Sequence, residues 1–391
     1  MSRILEKGQT IDFYKATIPI IVSVFAIYLT IGLTLGIVPA FVQNDLKFNS
    51  LIVGVVIGLQ PLTTLLTRAY FGKMTDTRGA KRSKFGGILL VMAAGIIYVL
   101  AVSFASYPLM ALLLLLLARI VHGIAESLLV IGALTWGIGL VGHEKSGKVM
   151  TWNGIAMYGG IAVGAPLSIG ITRDFDITYA LGIIAILPIA SWIATIKLPA
   201  IPVDKKHVRT PFYKVVGTIA KQGLTLAFSS MAFGCIASFI ALFFTEKNWG
   251  DASLAFIIFG GSYILTRVFF ASYPDKYGGY KVAVVSLVIE VIGQFLIYTS
   301  YTKEMALIGC ALTGIGFSLV FPSLGVLAIK KVKPQMRGTA LGAYAAFFDL
   351  SLGLAGPTAG LIAGWFSYQD IYLFGSISCL LALGTLLLKR D

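Results

Sequence analysis

Residues 66–82 read LTRAYFGKMTDTRGAKR, and residues 265–281 read LTRVFFASYPDKYGGYK. Leu66, Thr67, Arg68, Phe71, Asp76 and Gly79 recur as Leu265, Thr266, Arg267, Phe270, Asp275 and Gly278, all at an offset of 199, and Arg82 is answered by Lys281. A second set follows at an offset of 191: Gly123 with Gly314, Ser127 with Ser318, Gly147 with Gly338 and Pro166 with Pro357. Two offsets, each shared by several special residues, mark a chain built as two parallel halves.

Each copy sits among long apolar stretches. Of the 391 residues, 57% are hydrophobic and 12% charged, against about 25% charged in ordinary soluble domains. This composition excludes a water-soluble globule and a disordered chain. Twelve apolar segments can be drawn: 17–42, 50–71, 84–105, 108–132, 149–171, 178–197, 222–244, 252–273, 282–300, 305–329, 339–365 and 369–388. Each is long enough to cross a hydrocarbon layer of roughly 30 Å as a helix that satisfies its own backbone. The predicted fold is all-α: a polytopic membrane protein of twelve transmembrane helices in two pseudo-symmetric six-helix bundles. Residues 1–197 form the N-terminal bundle, 198–221 a basic cytoplasmic linker and 222–391 the C-terminal bundle. Parallel six-span repeats are one architecture of secondary transporters.

Charge sets the orientation. Twenty-four of the 31 lysines and arginines fall in the N-tail (Arg3, Lys7, Lys15), the even-numbered loops (the second holding Lys73, Arg78, Lys81, Arg82 and Lys84) and the C-tail (Lys389, Arg390). Only Lys47, Arg173, Lys247 and Lys303 lie on the other side, and Arg68, Arg119 and Arg267 lie in spans. By the positive-inside rule both termini are cytoplasmic, so the net charge of +14 is topology rather than a nucleic-acid footprint, and it suits contact with anionic lipid. The first apolar run follows a polar segment with no evident small-residue cleavage site, and it reads as a retained helix rather than a signal peptide. Cys235, Cys310 and Cys379 lie in apolar runs and offer neither a disulfide frame nor metal-ligand spacing.

These residues resemble the major facilitator superfamily. Gly72, Asp76, Gly79, Lys81 and Arg82 match its loop 2–3 signature, with Thr77 where a basic residue is usual. Arg119 through Gly123 is similar to its span-four R-x-x-(Q)-G element. Gly164, Pro166 and Gly170 resemble the span-five "antiporter" motif, with Ala165 in place of a glycine, and Gly356, Pro357 and Gly360 form a cleaner copy in span eleven. Phrases such as Phe317–Pro322 and Asp349–Gly353 look closest to the YhhS/YfcJ-like bacterial efflux branch. The resemblance implies a transporter of a bacterial inner membrane, and it implies gating by Gly72, Asp76, Gly79, Arg82 and Arg68, with Arg267 and Asp275 as the lesser latch. In the proline motifs, the lost backbone donor and the close approach at glycine would let spans five and eleven bend or pack tightly at the seam between the halves.

Ionisable residues inside spans are costly and are functional candidates by default. Arg119, His122 and Glu126 lie on nearly one face of a helix and should form a polar stripe facing a cavity. Glu126 and Asp349 are the candidate proton carriers, with Arg119 balancing the carboxylate and His122 tuning or relaying. Glu290 falls in peripheral span nine, where a structural ion pair competes with function. Tyr28, Thr30, Thr34, Asn153, Tyr158, Ser229, Ser230 and Ser238 are candidates to line a substrate cavity. The expected function is proton-coupled efflux of a drug or metabolite by alternating access, as a monomer in the lipid bilayer. The energy source is the proton gradient and no cofactor or metal is expected. Uptake of a small solute such as a sugar, by proton symport or facilitated diffusion, is the alternative. No nucleophile–base pair, HExxH spacing or P-loop occurs, so an enzyme and an ATP-driven pump are disfavoured.

Overall fold

The computed structural model describes residues 11–203, 213–332 and 336–388. Arg3 and Lys7, the linker residues Lys205, Lys206, His207 and Arg209, and Lys333, Lys389 and Arg390 lie outside the described residues. The helices run α1 Phe13–Ala40, α2 Ser50–Arg78, α3 Ala80–Ser103, α4 Pro108–Val141, α5 Ser146–Asp174, α6 Ile177–Ile186 and α7 Pro188–Thr195. They continue with α8 Tyr213–Glu246, α9 Ser253–Phe270, α10 Tyr273–Tyr277, α11 Gly279–Tyr298, α12 Lys303–Lys330, α13 Arg337–Trp365 and α14 Asp370–Leu387. No strand occurs among the described residues. Among the described residues, twelve spans are long and apolar enough to cross a membrane, the sixth being α6 and α7 joined at Leu187–Pro188.

The chain divides into two compact units. Unit 1 holds residues 1–47 and 63–207, and unit 2 holds 48–62 and 208–391. The early half of α2 is therefore grouped with the later helices. Close packing explains this: Gly356 lies against Gly54, Pro357 against Gly58, and Gly360 against Ser50 and Leu51. Without side chains at these points, the backbones of α2 and α13 approach as small-residue stripes allow. The corresponding glycines of α5 have a different partner. Gly160 and Gly164 pack on α1, Gly160 against Phe25, Tyr28 and Leu29 and Gly164 against Leu29, Gly32 and Leu33. The α5 motif thus serves the interior of unit 1. Gly170 has open space around it and no packing duty. Ala165 is fully buried, seated on Gly36.

The duplicated stretch is helical almost throughout. A single residue, Gly79, separates α2 from α3 at φ +95°, and Gly278 separates α10 from α11 at φ +89°. The two copies share one backbone shape, which only glycine adopts without strain. The loop expected around Lys81 and Lys84 is the first turn of α3 instead. Its register turns both lysines inward, while Arg82 between them is exposed. Lys81 Nζ donates to Ile196 O and Leu198 O, at 2.8 and 2.6 Å, capping the carbonyl end after α7. The chain leaving α7 is held to unit 1 by Trp136 Nε1, which donates to Pro199 O at 2.8 Å, and by Ile201 over Gly139. Helix α8 begins at Tyr213, so the last part of the stretch 198–221 is helical.

Candidate functional site

Helix α4 carries the polar stripe that its spacing predicts, and α1 receives it. Arg119 Nη1 donates to Thr34 Oγ1 at 3.0 Å, His122 Nε2 and Thr30 Oγ1 are 3.2 Å apart, and Tyr28 Oη donates to Glu126 Oε1 at 3.1 Å. Rising numbers on α4 meet falling numbers on α1, as antiparallel neighbours require. Thr64 of α2 completes the group, donating to Glu126 Oε2 at 3.2 Å and lying 3.1 Å from Gly123 O. Arg119 and His122 are fully buried, whereas Glu126 is half-buried. Tyr98 of α3 stands edge-on to His122, its centroid 6.1 Å away, and its hydroxyl lies beside the Arg119 guanidinium.

The hydrogen-bond inventory bears on what Glu126 can do. Hydroxyls donate and accept, so Tyr28 and Thr64 can serve a carboxylate and, after rotation, a carboxylic acid. His122 Nδ1 has no partner among the described residues. Tyr28, Thr30 and Thr34, read from the sequence as cavity-lining, are buried and engaged with α4. Asn153 is buried on α5 with Nδ2 3.1 Å from Met157 Sδ, and Tyr158 is buried one turn further.

In unit 2, Asp349 is buried midway along α13. Glu290 is fully buried on α11, where Ser229 Oγ donates to its Oε2 at 2.7 Å and the Cys379 thiol lies beside it. That placement ties α8, α11 and α14 together. Ser230 is likewise spent on its own helix, donating to Leu226 O at 2.7 Å. Arg267, the expected lesser-latch partner of Asp275, turns to Tyr263 in this conformation. Arg267 is buried with Nη2 2.6 Å from Tyr263 Oη and its guanidinium 5.2 Å from that ring, while Asp275 is exposed on α10. Asp275 belongs to α10, the short helix between the end of α9 at Phe270 and the turn at Gly278.

Three features escaped the sequence reading. Tyr98 and Thr64 look like ordinary residues of apolar helices until α3 and α2 are placed beside α4. Lys84, counted there as a loop cation, is fully buried with Nζ 3.0 Å from Thr195 Oγ1 and 3.4 Å from Ser191 Oγ, near the Phe85 and Trp136 rings. A near-parallel stack in unit 2, Phe259–Phe233–Phe317–Phe348, has centroid spacings of 5.3, 5.5 and 6.4 Å.

The Major Facilitator Superfamily model matches residues 20–250 and 222–391. The chain belongs to the Major Facilitator Superfamily. It is 39% identical over 371 residues to an MFS-type transporter of Burkholderia pseudomallei (strain 1106a), covering 94% of this chain and 90% of that one. A Salmonella typhimurium MFS-type transporter is 37% identical over 361 residues, 92% of each. Among solved structures, the human organic anion transporter MFSD10 aligns with a TM-score of 0.72 at 14% identity over 96% of this chain and 100% of that one. The nucleoside transporter NupG aligns with a TM-score of 0.69 at 17% identity over 96% of this chain and 100% of that one. This superfamily member is a multi-pass membrane protein and a secondary transporter, not an enzyme.

Proposed function

We propose that this transporter exports a small organic molecule in exchange for protons, with Glu126 as the principal proton carrier and Asp349 as the second. The observation that carries the reading is the half-buried Glu126 carboxylate held by two hydroxyls, Tyr28 and Thr64, from two neighbouring helices. An acid at membrane depth whose partners can both donate and accept loads and releases a proton without stranding a buried polar group. Arg119 offsets the negative charge from the same face of α4, and His122 sits between them. Differential affinity of cargo and proton for inward-open and outward-open states couples the two fluxes. The 24-to-4 partition of basic residues supports cytoplasmic termini, and the bacterial relatives support an inner membrane. No cofactor enters this scheme.

The test uses proteoliposomes with a trapped pH dye and a panel of small solutes, nucleosides and organic anions among them. A solute gradient should drive protons in the opposite direction. Glu126→Gln should abolish that exchange in folded protein, and Asp349→Asn should weaken or abolish it. Wild-type proton-driven flux in both variants would refute the assignment. Co-directional movement would replace export with symport.

A further inference from the structure

Helices α9 and α11 both pack on α12, and a cavity of about 430 Å³ lies between them in unit 2. Val285 and Ile289 of α11 make one wall, Ile315 and Leu319 of α12 the floor, and Tyr273 and Tyr277 of α10 close one end beside Lys281. The cavity is a groove open to the outside of the unit: Val285 is 59% exposed and Tyr277 49%. Because α9, α11 and α12 each cross the membrane, the medium at that opening is lipid.

The closed end has a different character from the floor. Phe270, Tyr273 and Tyr277 form a row of edge-to-face rings with centroids 4.9 and 5.0 Å apart, and Lys276 Nζ rests 5.1 Å over the Tyr277 ring. Lys281 is exposed at the rim. The exposed lysines Lys276 and Lys281 outnumber the one carboxylate of this stretch, the exposed Asp275, so the stretch keeps a positive surplus. Tyrosine and lysine are the residues that sit at headgroup level, where basic pockets recruit anionic lipid.

We propose that this groove is a binding site for one anionic phospholipid. Lys281 and Lys276 hold the phosphate beside the tyrosine row, and one acyl chain lies along Val285, Ile289, Ile315 and Leu319. The stripe from Val282 to Ile289 spans roughly 10 Å of helix rise, enough for the upper half of a chain. The site is independent of the Glu126 cluster and of the direction of transport.

The experiment is native mass spectrometry of the full chain titrated with phosphatidylglycerol and, separately, phosphatidylcholine of identical acyl chains. The wild type should retain phosphatidylglycerol several-fold better. Lys276→Glu with Lys281→Glu should lower that binding about tenfold and leave phosphatidylcholine unchanged. Val285→Trp, at an exposed position, should lower both lipids by filling the groove. Lys148→Glu, exposed on unit 1, should change neither. Equal retention of the two lipids by the wild type would overturn the proposal, as would unchanged binding in the groove variants or an equal loss in Lys148→Glu. A dimer that loses mass only in Val285→Trp would overturn it in favour of a second copy.

Discussion

Gly160→Ala is a sharp test of how unit 1 is assembled. A Cβ built at Gly160 falls 2.6 Å from Phe25 O, 2.7 Å from Leu29 N and 2.9 Å from Tyr28 C, all backbone atoms of α1. Ordinary contact begins at 3.4 Å, so the α1–α5 pair must separate by about 0.8 Å, or strain by the equivalent amount. No side chain can rotate to relieve it. Overpacking of this kind costs about 1–3 kcal/mol, and the middle of that range changes the folded-to-unfolded ratio by roughly 30-fold. The displacement is centred on Tyr28, whose hydroxyl reaches Glu126 at 3.1 Å, near the limit of a useful hydrogen bond. Stability and proton coupling should therefore fall together. The assay pairs an SDS unfolding titration with the proteoliposome exchange measurement, and Gly170→Ala is the control because nothing lies within 4 Å of that position. If Gly160→Ala unfolds at the same SDS fraction as Gly170→Ala and exchanges protons normally, the tight α1–α5 seam is not what holds the site.

Gly79→Ala and Gly278→Ala should each cost about 1–3 kcal/mol, because φ near +90° is strained for any side chain. Thermal melts should lower both alike and leave Gly147→Ala, in open space, near wild type. Lys84→Met removes a buried amine together with the two hydrogen bonds that it donates to Thr195 Oγ1 and Ser191 Oγ, so stability should stay within about 1 kcal/mol of wild type. Transport by folded Lys84→Met should persist, and its loss would bring Lys84 into the coupling machinery.

Much of the site was legible before any coordinates. The spacing of Arg119, His122 and Glu126 forces one helical face whatever surrounds it, and their cost in hydrocarbon marks them as purposeful. The partners were not legible, because Tyr28, Thr64 and Tyr98 come from three other helices and carry no signal in their own neighbourhoods. The charge of the 2–3 region misled for a related reason. Lys81 and Lys84 look identical to their exposed neighbours in a string of letters, and only the restart of the helix at Ala80 turns them inward.

The chain alone determined its class: the apolar content, the twelve lengths, the two offsets and the lopsided lysines follow from what hydrocarbon does to polar backbone and charge. Those are one-dimensional constraints, and a one-dimensional reading suffices for them. Tertiary structure decided everything that depends on which helix lies beside which. It set Glu126 against Tyr28 and Thr64, grouped the early half of α2 with α13, and turned Arg267 to Tyr263. Close approach between helices is a property of pairs of surfaces, and neither surface encodes its partner by itself.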